Sequence, residues 1–225
     1  MDIDITDISS HLNNTIEIDT KLSLRAHNMS EITEENLESA VKSVLSAYNN
    51  TDFMPVLYTM IKELVINGIK ANHKRIFFEE NSLNLLDQND YRKGMAQFKK
   101  LLRKNMSHEF GLKARSAGLF CLVDFYMKEH GIKIEISNNS APTKEEERNL
   151  RKKLEKGMMI NRITDYIADS DEESEGSGLG LVMILVMMKN SDIDPGLFRI
   201  NFSNGKTIAR LEIPFSDSYK SQRKS

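Results

Sequence analysis

Apolar and polar residues alternate through TIEIDTKLSLRA (15–26), a period of two that sends successive side chains to opposite faces of a strand. Residues 3 to 8 alternate in the same way and are the expected hairpin partner. The period then lengthens. In SEITEENLESAVKSVLSAY, Leu37, Val41, Val44 and Leu45 fall at helical spacing behind Ser30 or Thr33, either of which can cap the first turn. A second helix is expected from Asp52 to Asn72, with Pro55 in its first turn, where proline is tolerated. Residues 77–116 are polar and mostly helical, and include the basic amphipathic piece YRKGMAQFKKLLRKNM. Its Tyr91, Met95, Phe98 and Leu102 share one face, for which packing is the expected use and partner docking the alternative.

GLFCLVDFYMKEHGIKIEISNN reads as two strands joined at Glu129–Gly131, although its first half also fits a helix. KEEERNLRKKLEKGMM reads as a charged helix or lid, DSDEESE as a solvated loop, and 181–189 as an apolar helix. The chain closes with LFRINFSNGKTIARLEIPF, two alternating runs about Asn204–Gly205, a type I′ hairpin signal. The predicted class is α+β, a two-layer sandwich in which a mixed sheet is covered on one face by helices. Residues 1–225 are expected to form one domain, with 1–50 as an N-terminal strand and helix extension and 77–116 as a helical insertion.

Composition narrows the setting. A chain of 225 residues can bury a substantial core, and its net charge of −2 creates no overall field toward nucleic acid or a membrane surface. The lone cysteine, Cys121, suits a reducing cytoplasm, the expected location. The acidic N-terminus has no apolar signal-peptide core, and the apolar run at 179–188 is far short of the roughly 20 residues of a membrane span. The 12 methionines are expected to fill core gaps.

Two stretches carry candidate chemistry. In EGSGLGLVMI (175–184), Gly176, Gly178 and Gly180 alternate directly before the apolar helix. Glycines there let something approach the main chain, including Ser177 and Leu179, and helix N-termini offer free N–H groups to anions. A phosphate is the candidate, a simple tight turn the alternative. In YTMIKELVINGIKANHK, Glu63, Asn67 and Lys70 share one helix face. The carboxylate can take a proton from water, the amide oxygen can ligate Mg²⁺, and the ammonium can meet a phosphate; a surface Glu–Lys stripe is the plainer reading.

ELVINGIKA, ISNNSAP and GSGLGL, in that order, resemble the N-box and the two glycine boxes of the ATPase fold shared by gyrase, the heat-shock and mismatch-repair ATPases and the sensor histidine kinases. The resemblance spans residues 55–215 and is nearest to the histidine-kinase-like ATP-binding domain, of Bergerat fold. It implies binding of ATP or ADP with Mg²⁺. It implies that Glu63 activates water or assists phosphoryl transfer, that Asn67 holds Mg²⁺, and that Lys70 lies near the phosphates. Gly176, Ser177, Gly178, Leu179 and Gly180 would form the phosphate loop, with Thr207 a hydroxyl near the adenine. The family's first glycine box reads Asp–x–Gly–x–Gly, whereas this chain has Asn138, Asn139, Ser140, Ala141 and Pro142. Asn138 can accept from the adenine amino group through its amide oxygen, without the charge that strengthens such a bond by about 1 kcal/mol or more. Weaker binding is expected.

MSHEF (106–110) resembles a phosphoacceptor box, but His108 lies after the N-box, and a surface helix residue is expected. A partner protein that receives phosphate or is regulated is therefore expected. The activity reads as a kinase or ATPase; the alternative is a non-catalytic, nucleotide-gated partner-switching module resembling an anti-sigma factor.

Overall fold

A computed structural model describes residues 4–5, 19–103, 107–168 and 178–222. Strand β1 (Asp4–Ile5) and strand β2 (Lys21–Ala26) pair in parallel, Asp4 opposite Ser23. That overturns the hairpin expected between 3–8 and 15–26, because a tight turn can join only antiparallel strands. Residues 15–18 lie outside the described residues. Of the two candidate caps, Ser30 opens helix α1 (Glu31–Ser46), its hydroxyl accepting from the Thr33 amide at 3.2 Å.

Helix α2 (Met54–Glu80) runs well past the expected end at Asn72. Neither Gly nor Pro follows to stop it, and its last turns find apolar partners. Those partners are helices α3 (Gln88–Arg103) and α4 (Ser107–Ser116), within the stretch 77–116 read as mostly helical. Phe77 and Phe78 of α2, Phe98 of α3 and Phe110 of α4 form a satellite core, with Phe77 and Phe98 ring centroids 5.6 Å apart. Tyr91 and Met95 pack against it, so the stripe on α3 is spent on packing; the Leu102 side chain is outside the described residues.

Strands β3 (Cys121–Lys128) and β4 (Gly131–Asn138) form the antiparallel pair read from the sequence, joined at Glu129–His130. Helix α5 (Lys144–Met159) opens with a capping box, Thr143 and Glu146 each bonding the other's main-chain N–H. Helices α6 (Ile163–Ala168) and α7 (Leu179–Asn190) follow, α7 starting two positions earlier than the expected 181. The hairpin of β5 (Phe198–Ser203) and β6 (Lys206–Pro214) turns on Asn204 at φ 51° and Gly205 at φ 71°. Both angles are positive, as a type I′ turn demands.

The sheet runs β1-β2-β3-β4-β6-β5 and is antiparallel except at β1. The period of two sorts its faces. Leu24, Val123, Phe125, Ile134 and Leu211 point to one side and are buried with Leu37, Ile61, Leu64 and Ile184 from α1, α2 and α7. The other side carries Lys21, Asp124, Lys133 and Glu135, paired at 3.1 Å (Lys21–Asp124) and 3.2 Å (Lys133–Glu135). The architecture is therefore the α+β two-layer sandwich foreseen from the pattern, with helices on one face. Met60, Met127 and Met188 sit in the core as expected, whereas Met159 is 85% exposed. Among the described residues no helix is long and apolar enough to cross a membrane.

Candidate functional site

On α2, Glu63 and Asn67 stand one turn apart, and Asn67 Nδ2 donates to Glu63 Oε1 over 3.2 Å. The Glu63 carboxylate lies against Gly180 in the first turn of α7, where any Cβ would overlap it. Gly180 thus lets the Glu63 carboxylate close on the start of α7. Gly178 is required by backbone angle: it is the N-cap of α7 at φ 88°, in the left-handed region. The stem of Lys153, from α5, runs over it, with Cδ 2.6 Å from where a Cβ would stand. Leu179 is exposed at the helix start, and Lys70 is exposed on the α2 face that carries Glu63 and Asn67. Gly176, Ser177 and the acidic loop from Asp169 to Glu175 lie outside the described residues.

Beside that ridge α2 turns toward the sheet. Gly68 permits a close approach to β3 and β4, since a Cβ there would stand 2.9 Å from Cys121 Sγ and 3.5 Å from Asn138 Cβ. One turn on, Asn72 Oδ1 accepts from Asn138 Nδ2 at 3.4 Å. Asn138 Nδ2 also donates to Ser140 Oγ at 2.9 Å and to the Ser140 carbonyl at 3.3 Å. All three residues are buried, and none of these bonds uses Asn138 Oδ1. Thr207 stands directly opposite Asn138 in the β4–β6 register. The structure thus brings Glu63 against both Asn67 and Gly180, sets Asn138 beside Thr207, and links the two groups through Gly68.

Sequence reasoning missed Lys153, Asn72 and a charged clasp at the start of α5. There the Glu146 carboxylate is held by Lys74 Nζ and by Arg75 Nη2 at 2.5 Å, while Arg75 also donates to the Ala141 carbonyl at 2.8 Å. The Thr143-x-x-Glu146 capping spacing was the only signal in the sequence, and it says nothing of α2. At the other end of α5, Lys189 Nζ of α7 donates to the carbonyls of Met158 and Ile160, each at 2.7 Å.

Burial pushes the Glu146 carboxyl up, but the hydrogen bond from Arg75 and the two cations outweigh it and hold the group at about 2. Burial also lowers Lys74, against the attraction of Glu146. Because the folded carboxyl titrates below its unfolded value of 4.5, the clasp stabilises fully above that pH and is lost as pH falls toward 2. The contribution is on the order of 3 kcal/mol. Urea titrations of wild type and Glu146→Gln should differ at pH 7 and converge by about pH 2. A gap independent of pH would mean that the carboxylate's charge is not what stabilises.

The other chemistry-bearing residues stand apart. His108 is exposed on α4. His73 is buried, its Nε2 at 2.9 Å from the His27 carbonyl, and burial pulls its pKa down. Burial pushes the Cys121 thiol up to about 12, far from a reactive thiolate. Two cavities open elsewhere: one of about 370 Å³ is lined by α1 and α4, and one of about 560 Å³ lies between α3 and the start of α5. Neither is lined by Glu63, Asn67 or Asn138.

No family model matches the sequence, and no solved structure matches it significantly. The chain is similar to an uncharacterized protein of Treponema pallidum (strain Nichols), with 26% identity over 199 residues. The match covers 88% of this chain and 39% of that relative's length.

Proposed function

We propose that the chain binds ATP or ADP with Mg²⁺ as a histidine-kinase-like ATP-binding domain in the cytoplasm, and passes the terminal phosphate to water or to a partner protein. One observation carries the reading: Glu63 of α2, bonded to Asn67, meets Gly180 in the first turn of α7, although 117 residues separate Glu63 from Gly180 in the sequence (180 − 63). The residues present fit the nucleotide. Gly178 and Gly180 keep side chains away from the N-terminal amides of α7, where phosphate oxygens are stabilised. Asn67 Oδ1 can take one Mg²⁺ position, the remaining ligands being water and phosphate oxygens, as this cation prefers. Bound Mg²⁺ supplies charge neutralisation for phosphoryl transfer. Asn138 spends its amide hydrogens on Asn72 and Ser140, leaving Oδ1 to accept from an adenine amino group beside Thr207. Glu63 Oε1, already accepting from Asn67, is positioned to orient a nucleophilic hydroxyl and to take its proton.

Calorimetric titration with Mg-ATP and Mg-ADP tests the reading. Wild type should bind both, and Gly178→Val should lose at least about tenfold, since valine is strained at φ 88° and displaces the Lys153 stem. Absence of heat at millimolar Mg-ATP would end it. A nucleotide-gated partner-switching module remains the second reading, favoured by Asn138 where the resembled family has Asp; it expects the same binding with no turnover.

A further inference from the structure

We propose that the cavity between α1 and α4 is a binding site for a small organic acid with an apolar body. The inference stands apart from the nucleotide reading, since neither Glu63 nor Asn138 borders this cavity.

Two helix faces confront each other there. From α4 come His108, Gly111, Leu112 and Arg115, spaced three and four apart and so on one stripe. From α1 come Ile32, Thr33 and Asn36. Phe110 and Ala114, elsewhere on α4, are buried in the satellite core, so packing has left the cavity-lining stripe over. Gly111 lets α4 close on Asn28, where a Cβ would stand 2.8 Å from Asn28 Cβ, and both residues border the remaining space of about 370 Å³. That volume lies in the lower range of small-molecule sites. The floor belongs to the main core: Leu24, Leu37, Val65 and Val123 border the cavity, and none is more than 7% exposed. The rim is apolar too, with Ile32 66% exposed on α1 and Leu112 57% exposed on α4. One exposed apolar side chain needs no explanation, but a pair on two walls above a core floor offers a ligand continuous apolar contact. The charge is one-sided. Arg25 and Arg115 border the cavity, and among the described residues no aspartate or glutamate does. Arg25 stacks over the Phe120 ring, 4.5 Å from its centroid, whereas Arg115 is exposed on the lining stripe. A guanidinium takes a carboxylate through two parallel hydrogen bonds. A neutral apolar ligand would leave that fork unused, and a cation would be repelled by it. An acid with an apolar body uses both the floor and the arginine.

Octanoate, kept well below micelle formation, is the probe. Calorimetry on wild type should give saturable binding with a Kd at or below about 1 mM. Arg115→Gln should weaken it about tenfold, with Arg115→Lys restoring only part of the loss. Octylamine, which has the same apolar body and the opposite charge, should bind at least about tenfold more weakly than octanoate and should not lose affinity in Arg115→Gln. Place is read separately. The chain has no tryptophan, so Ile32→Trp puts a single reporter at the rim, and Leu86→Trp puts one at another exposed position, before α3. Octanoate should change the emission of the first and leave the second unaltered. Absence of saturable octanoate binding to wild type overturns the proposal. So does equal affinity for octanoate and octylamine, an affinity indifferent to Arg115→Gln, or an emission change that is the same at both reporters. None of these results bears on whether the protein binds Mg-ATP.

Discussion

Replacing Glu63 by Gln should lower ATP turnover by about 100- to 10,000-fold and leave Mg-ATP affinity within about twofold. That is the expected range for a general base felt only in the transition state. The amide preserves the side chain's volume and can still accept from Asn67 Nδ2, so the α2 ridge stays formed. Gly180→Ala gives an independent handle on the same carboxylate. A methyl group there overlaps the Glu63 carboxylate, whose end is flexible and half-buried, so the carboxylate gives way and the helix does not. Alanine also favours the helix by up to about 1 kcal/mol over glycine. The variant should therefore hold or gain thermal stability while losing turnover. Asn67→Ala should differ from both by weakening Mg²⁺-dependent binding. Steady-state kinetics with calorimetry on the three proteins separates these effects. If binding falls equally in Glu63→Gln and Asn67→Ala, Glu63 is a structural residue of the ridge.

Phe78→Ala should destabilise the protein by about 3–5 kcal/mol, the usual range for emptying a buried phenylalanine site. Phe78 is 1% exposed, and its ring fills the space above Gly94 of α3, where a Cβ would stand 2.8 Å from Cε1. The ring centroids of Phe77 and Tyr91 each stand 6.0 Å from that of Phe78, and close-packed neighbours of this kind relax only partly into such a void. Denaturant unfolding reads the loss directly. A change below about 1 kcal/mol would show that α3 is only loosely docked on α2.

The hydrophobic pattern was a good guide wherever neighbours in sequence are neighbours in space. A cap at Ser30 or Thr33, two strands about Glu129–Gly131 with a helix as the alternative for the first, and the positive-φ turn at Asn204–Gly205 depend on local geometry, and the structure selects among what was legible there. The parallel β1–β2 pairing was not, because alternation marks a strand without naming the direction of its partner. Nor was the full length of α2: Ile76, Phe77 and Phe78 extend it only because Phe98 and Phe110 are there to cover them. The same division runs through the site. Glu63 and Asn67 announce their shared face by a spacing of four, whereas the Asn72–Asn138 pair joins a helix to a strand, and helical periodicity cannot show that. Lys153 was hidden for a simpler reason. In KEEERNLRKKLEKGMM it is one cation among many, and only its stem lying over Gly178 distinguishes it.

Helix α5 is fastened at both ends, by Lys74 and Arg75 gripping Glu146 at its head and by Lys189 holding the carbonyls of its last turn. Much of its surface is exposed, which would ordinarily mark a segment that frays by itself. Instead, its amide hydrogens should exchange with solvent in step with those of α2 and α7, as one cooperative unit. Whatever sits beneath α5 would then come and go on the schedule of that shared opening.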